Sequence, residues 1–313
     1  MTFHGRARRM ITHGVQIALL LSFTMLATAC EAASGRQDAV RRVAVMSAFA
    51  PEWQALQARL TDRAEHVVNG TVFVTGAIEK KPVVLFLSGI SMVNAAMTAQ
   101  LVLDRFNIEA IVFSGIAGGV DPALNIGDVV VPDAWSQYLE AVFAREVGTG
   151  GYQLPTFASN AIPNFGMIFP QPVAVARGHG EPERKLWFPV DPALIAIAHG
   201  VAETPLARCS GAGHCLARQP RIIIGGNGVS GQAFVDNGDF RDYAGKTFNA
   251  KVLDMESAAV AHVAYANGLP FIAFRSLSDL AGGGEGENEI GTFFELASNN
   301  SAAVVTAFLK ALP

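Results

Sequence analysis

Acidic side chains stand isolated in otherwise apolar elements between Leu253 and Asp279, in the segment LDMESAAVAHVAYANGLPFIAFRSLSD, Glu256 and Asp279 foremost among them. Burying an unpaired carboxylate is costly, so such an acid serves to bind a ligand or to move a proton. Met255-Glu256 opens a small-residue helix that Asn267-Gly268 can end through a left-handed cap before Pro270. Pro270 to Leu277 is apolar apart from Arg275 and too short for a second helix, so it reads as a covered strand of a parallel sheet. Ser278 and Asp279 then fall at the carboxyl end of that strand, where open α/β sheets place their ligands. There Ser278 can orient the Asp279 carboxyl by a hydrogen bond. The plain structural alternative is that Glu256 caps a helix and Asp279 begins a turn. Two acids on consecutive elements of one unit favour chemistry.

The elements that must position these acids alternate between strand and helix. Arg42 to Ala48 reads as a first strand, and Pro51 opens a helix from an acceptable first-turn position. Val72 to Ile78 and Pro82 to Leu87 suggest a hairpin feeding the turn Ser88-Gly89-Ile90, followed by a helix from Met92 to Phe106. Ala110 to Ser114 is a buried strand running into Gly115-Ile116-Ala117-Gly118-Gly119, and Asp128 to Pro132 is another strand. This alternation predicts one α/β domain over 41–313, with a central mixed, mainly parallel twisted sheet flanked by helices. From about 135 to 220 the texture turns to proline, glycine, asparagine and aromatic residues, with one helix near Pro192 to Ala202. That stretch reads as a long insertion, packed on the domain as a lid or an oligomer contact. Arg221 to Gly225 resumes the strand pattern, and Asn299 to Leu312 reads as a closing amphipathic helix.

The 313-residue chain starts with a basic patch, Arg6, Arg8 and Arg9, then an apolar stretch from Val15 to Ala27, shorter than a membrane span. Residues 1–29 therefore read as a signal peptide, and 30–40 as a flexible linker. Two outcomes stay open: ordinary cleavage before Cys30, or lipidation of Cys30 through the loose lipobox Leu26-Ala27-Thr28-Ala29-Cys30. Either way the expectation is export, to the periplasm or as a membrane-anchored lipoprotein. Without the three leader arginines the remaining chain has 20 Lys+Arg against 27 Asp+Glu, a net charge of −7. Such a chain has no basic footprint for nucleic acid. Cys209 and Cys215 enclose a flexible loop that an oxidising compartment can close as a disulfide. A metal site on Cys209, His214 and Cys215 is the sharper alternative, but the spacing supplies no fourth ligand.

The glycine-rich turn 115–119 lets backbone N–H groups approach a phosphate, a sugar or another anion. It matches neither the dinucleotide fingerprint nor the phosphate loop with its lysine, so no nucleotide cofactor is expected.

Taken in order, the motifs resemble the nucleoside phosphorylase and nucleosidase superfamily, most closely the bacterial 5′-methylthioadenosine/S-adenosylhomocysteine nucleosidases. The motifs are Ser47-Ala48-Phe49-Ala50-Pro51-Glu52, Ser88-Gly89-Ile90-Ser91, Ser114 to Gly119, Asn125 to Val130, Ser230 to Val235, Met255-Glu256 and Ser278-Asp279. The resemblance implies hydrolysis of a purine N-glycosidic bond. In that reading Glu52 activates water, and Asp279, held by Ser278, protonates the base at N7. Phe234 stacks on the purine, while the Val235 backbone meets its hydrogen-bonding edge. Met255 packs on the ribose, and Glu256 accepts bonds from its hydroxyls. Ser88, Ile116, Ala117 and Gly118 complete the substrate contacts. The resemblance also implies a homodimer in which the neighbouring chain completes the 5′ pocket.

The chemistry needs these residue types. Breaking the bond builds positive charge on the ribose and negative charge on the base, so an acid at the base and carboxylates near the sugar favour the transition state. A phosphorylase of this superfamily would place an arginine and a hydroxyl residue where this chain has Phe113 and Ile116, so water is the expected nucleophile. Phosphorolysis, with arginines supplied from elsewhere, is the alternative. So is an exported binding or uptake protein without turnover. Ile116 and Gln232 both depart from the nucleosidase pattern, where serine and an acidic residue are usual.

Overall fold

Strands form where the chain runs through unbroken apolar residues. In the computed structural model, which describes residues 35–284 and 286–313, these include Arg41–Ser47, Lys81–Leu87, Asn107–Gly119 and Phe271–Asp279. Their middles are buried, and such strands need cover on both faces, which parallel crossovers through helices supply. Arg41–Ser47 accordingly pairs in parallel with Lys81–Leu87 on one side and Asn107–Gly119 on the other, and Phe271–Asp279 also runs parallel to Asn107–Gly119.

Asn107–Gly119, with 13 residues, is the axis of a 12-stranded mixed sheet. Its far end turns antiparallel to Ala250–Asp254, setting Gly118 opposite Leu253. Three chain segments thus reach the same edge, carrying the glycine-rich turn, Asp254 to Glu256, and Ser278-Asp279. The helices Ala50–Gln57, Met92–Arg105, Ser257–Ala266 and Ile290–Ala311 flank the sheet. One apolar cluster, from Val43 through Phe113 and Phe274 to Phe308, fills the space between them. A second, around Tyr138, Val235, Phe240 and Leu253, backs the other wall of the same edge.

The predicted hairpin is present as Thr71–Ile78 and Lys81–Leu87, with a further antiparallel strand, Thr61–Val68, at the sheet edge. Almost all of TDRAEHVV is exposed, so that edge strand has no apolar period to mark it. Helix Gly238–Phe248 was also not anticipated, and the closing helix starts at Ile290 instead of Asn299. Within the stretch read as an insertion, Ala134–Gln137 and Phe188–Pro189 are strands of the main sheet, and Trp135 is fully buried. Between them lie three separate two-stranded pieces. The signal-like segment and Cys30 lie outside the described residues.

Candidate active site

Glu52 is the third residue of the helix Ala50–Gln57, which begins directly after the first strand. Its carboxylate turns back on the chain: Oε2 accepts the N–H groups of Ala48 and Phe49 at 2.9 and 3.0 Å, and Oε1 accepts that of Ile116 at 2.8 Å. Three of about four acceptor positions are thereby used, leaving one toward the cleft. Burial pushes the carboxyl above its ordinary value, against the pull of Arg275 and these donors.

Glu256 follows the strand Ala250–Asp254 in a non-helical conformation, φ −142° and ψ −42°, and the expected small-residue helix SAAVAHVAYA runs from Ser257 to Ala266. It occupies the cap position, yet the capping is done by Asp254, whose Oδ1 accepts the N–H groups of Glu256 and Ser257, each at 3.1 Å. The Glu256 side chain is released from that task. Its Oε1 instead accepts the N–H of Ser91 at 2.8 Å. Ser91 reaches this point with φ 86° and ψ 156°, a region that glycine occupies far more easily. Burial pushes Glu256 up to about 7; Arg275 opposes this, and Asp254 and Glu52 add to it. At the other end of the helix the anticipated left-handed cap is present at Gly268, φ 67°. Gly268 and Leu269 donate to the carbonyls of Tyr265 and Ala264.

Ser278 and Asp279 end the last strand, both buried. Asp279 Oδ2 accepts the Ser278 hydroxyl at 2.8 Å, and Oδ1 accepts the Ala281 N–H at 2.8 Å. Burial raises the Asp279 carboxyl above its ordinary value, with those two donors pulling against it. Gly118 makes the close approach possible, because a Cβ there would lie 3.2 Å from Asp279 Oδ1.

These groups face one partly open cleft with a cavity volume of about 140 Å³. Of the residues singled out from sequence, Glu52, Ile116, Ala117, Gly118, Phe234, Val235, Met255, Glu256, Ser278 and Asp279 line it. Ser88 does not: its hydroxyl is turned onto the carbonyls of Ser47 and Gly89, and the same turn contributes Ile90 instead. Phe49, Ile90, Ile290 and the half-exposed Phe234 give the cleft apolar walls.

Sequence reasoning missed what lies under the floor. Arg275, wholly buried, sits with its Cζ 4.1 Å from the centre of the Phe113 ring. Its Nε is 2.8 Å from Asp254 Oδ2 and donates to Ser257 Oγ at 2.9 Å, while Nη1 donates to the Ile116 carbonyl at 3.2 Å. Its Nη2 stands 3.5 Å from Glu256 Oε2. The signal was available as a single cation in an apolar strand, but its partners lie on other elements. Cys209 and Cys215 face each other across an antiparallel bridge, their sulfurs at bonding distance, far from these carboxylates in sequence. Among the described residues no group of three or more His, Cys, Asp or Glu side chains is arranged to hold a metal.

A twisted α/β sheet with carboxyls gathered at its strand ends around a largely apolar cleft defines an enzyme built for acid–base chemistry on a small ligand. The chain belongs to the phosphorylase superfamily, whose profile matches residues 42–310. It is similar to the 5′-methylthioadenosine/S-adenosylhomocysteine nucleosidase of Mycobacterium bovis, 31% identical over 275 residues that cover 87% of this chain and 96% of the relative. The nucleosidase of the same name from Bacillus licheniformis is 30% identical over 86% of this chain and 98% of its own. Among solved structures, the S. pneumoniae nucleosidase with a transition-state inhibitor superposes with a TM-score of 0.64 at 25% identity, covering 88% of this chain and all of that one. The futalosine hydrolase of Helicobacter pylori shares the fold, with a TM-score of 0.66 at 22% identity over 87% and 99% of the two chains.

Proposed function

We propose that this protein hydrolyses the N-glycosidic bond of purine nucleosides of the 5′-methylthioadenosine or S-adenosylhomocysteine kind, releasing the base. The observation that carries the reading is the make-up of the cleft. Among the described residues that line it there are four carboxyl side chains, Glu52, Asp254, Glu256 and Asp279, and no lysine, arginine or histidine. A phosphate dianion beside these carboxylates would be repelled, and Arg275 beneath the floor is already matched by Asp254 and Glu256. Water is the nucleophile that such a site tolerates.

In this reading Glu52 uses its remaining acceptor position to take a proton from water as the water attacks the anomeric carbon. Glu256 accepts the ribose hydroxyls and offsets the positive charge that develops on the sugar. Asp279, whose carboxyl burial raises above its ordinary value, delivers a proton to the purine nitrogen as the bond breaks. Phe234 stacks on the base, Val235 meets its edge through the backbone, and Met255 packs on the ribose. Phe49, Ile90 and Ile290 offer the 5′ substituent an apolar mouth.

The closed Cys209–Cys215 pair supports residence in an oxidising compartment, as the leader-like N-terminus does. Dimerisation is supported by exposed apolar residues that start at the cleft with Ile90 and continue on the following helix with Val93 and Met97.

Purified protein incubated with a panel of purine nucleosides, with and without phosphate, tests the function. Free ribose in the absence of phosphate is the expected product. Ribose 1-phosphate would mark a phosphorylase, and tight binding without release would mark a binding protein.

A further inference from the structure

Arg275 stands among three carboxylates, and it is not shared equally between them. Its closest charged contact is Asp254 Oδ2 at 2.8 Å, whereas Glu256 Oε2 is 3.5 Å away; both are ion pairs without an aligned hydrogen bond, and the shorter one goes to Asp254. We infer that Asp254 is a positioning residue: it engages Arg275 so that Glu256 keeps an oxygen free for substrate, and it fixes the peptide that carries Glu256. This rests on the nucleosidase reading above, which gives Glu256 a ribose to bind.

The geometry provides both halves of that role. Asp254 Oδ1 takes the N–H groups of Glu256 and Ser257, each at 3.1 Å, and the Ser230 hydroxyl. Ser230 Oγ in turn accepts the N–H of Ala258 at 2.9 Å. One carboxylate oxygen thus holds the turn through which the chain delivers Glu256. The other oxygen sits against the guanidinium, whose Nε–H points to Ser257 Oγ and whose Nη1 is tied to the Ile116 carbonyl. Glu256 Oε1 is occupied by the Ser91 N–H, so Oε2 is the oxygen left for a ribose hydroxyl. A guanidinium without Asp254 would turn its fork onto that oxygen, because a bidentate carboxylate pair is the strongest contact then open to it.

The charged groups facing Glu256 are Arg275 from the last strand, Glu52 from the first helix and Asp254 from its own turn. Removing the Asp254 charge lowers the repulsion on Glu256 and frees Arg275 to pair with it. Both effects favour the Glu256 carboxylate, so it would lose its proton at lower pH.

The test measures kcat and KM for 5′-methylthioadenosine from pH 5 to 9 in the wild type, Asp254→Asn, Asp254→Ser and Ser257→Ala. In the neutral Asp254 variants KM should rise about tenfold with a smaller change in kcat, since uniform binding is lost. The acid limb of kcat/KM should move down by about one pH unit. Ser257→Ala removes a neutral partner of Arg275 and should leave the acid limb in place. Asp254→Ser, with room for a water, serves if Asp254→Asn does not fold. Wild-type turnover with superimposable profiles in a folded Asp254 variant overturns the inference alone, as does an equal shift in Ser257→Ala. Failure of both Asp254 variants to fold, seen by circular dichroism, assigns the residue to structure and overturns it too. Absence of base release by the wild type overturns the nucleosidase reading together with the inference.

Discussion

The hydroxyl of Ser278 lies 2.8 Å from Asp279 Oδ2, so two successive residues of a buried strand end orient one carboxyl group. Successive strand residues point to opposite faces, and the register shift between Leu277 and Asp279 is what brings both to the cleft.

Replacement of Asp279 by asparagine keeps the shape and removes the proton. Turnover should fall about 10²- to 10⁴-fold, the usual worth of a placed general acid, while an unreactive nucleoside analogue binds nearly as before. Steady-state rates and calorimetric titration check the two halves. Ser278→Ala withdraws a donor that pulls the Asp279 carboxyl down, so the basic limb of the pH–rate profile should move to higher pH. A basic limb that moves down in Ser278→Ala would contradict the assignment.

Glu256 gives the stability of the protein a pH dependence of definite sign. Its carboxyl titrates near 4.5 when unfolded and at about 7 when folded, because burial favours the neutral form. Between those values the folded state binds the extra proton, so the contribution is complete below about pH 4.5 and is lost as pH rises through 7. The loss is on the order of 3 kcal/mol for a shift of that size. Chemical denaturation at pH 5.5 and 8 should show the wild type weaker at pH 8, and Glu256→Gln should shrink the difference, the remainder coming from the likewise raised Glu52 and Asp279 carboxyls.

Much of this site was legible because acids stood out against apolar sequence. Glu256 and Asp279 were visible in that way, and Ser278 followed from its neighbour. Glu52 was not, since an acid in the first turn of a helix after Pro51 reads as a cap, and only the surrounding motif marked it. Asp254 was hidden beside the more conspicuous Met255-Glu256, and its tie to Arg275 is a contact between strands that no local pattern announces. Ile90 and Ile290 reach the cleft only through tertiary packing. The parallel core was readable from its apolar runs, while the exposed strand Thr61–Val68 and the helix Gly238–Phe248 were not.

Phe234 is 54% exposed although it lines the cleft, which is unusual for a large aromatic side chain. In the proposed function a purine stacked on this ring would cover part of that exposed area. Stacking of a base on an aromatic ring is worth about 1–3 kcal/mol, so Phe234→Ala should raise KM by about tenfold or more. Thermal stability should hardly change, because little buried area is removed. Initial rates over a range of substrate concentrations, with a melting curve beside them, separate these effects.

Gly115 has no space for a methyl group, and this links the glycine-rich turn to the charge beneath the cleft. A Cβ at that position would lie 2.1 Å from Arg275 Nη1 and 2.9 Å from Glu52 Oε1. Arg275 cannot easily retreat, being held over Phe113, against Asp254 and on the Ile116 carbonyl. The turn is also tied, since the Gly115 N–H donates to Ser301 Oγ at 3.1 Å. Gly115→Ala should therefore cost about 1–3 kcal/mol through overpacking. Because displacement by about 1 Å can cost 10²-fold, kcat/KM should fall on that order. Gly291→Ala is the matching control: it lies in the first turn of a helix with no heavy atom within 4 Å of the added Cβ. That change should stabilise by about 0.4–1 kcal/mol with turnover unaltered. Thermal unfolding and initial rates on both variants check the pair. Full activity in Gly115→Ala would mean that the guanidinium can move without disturbing Glu52 or Glu256, contrary to the geometry that joins them.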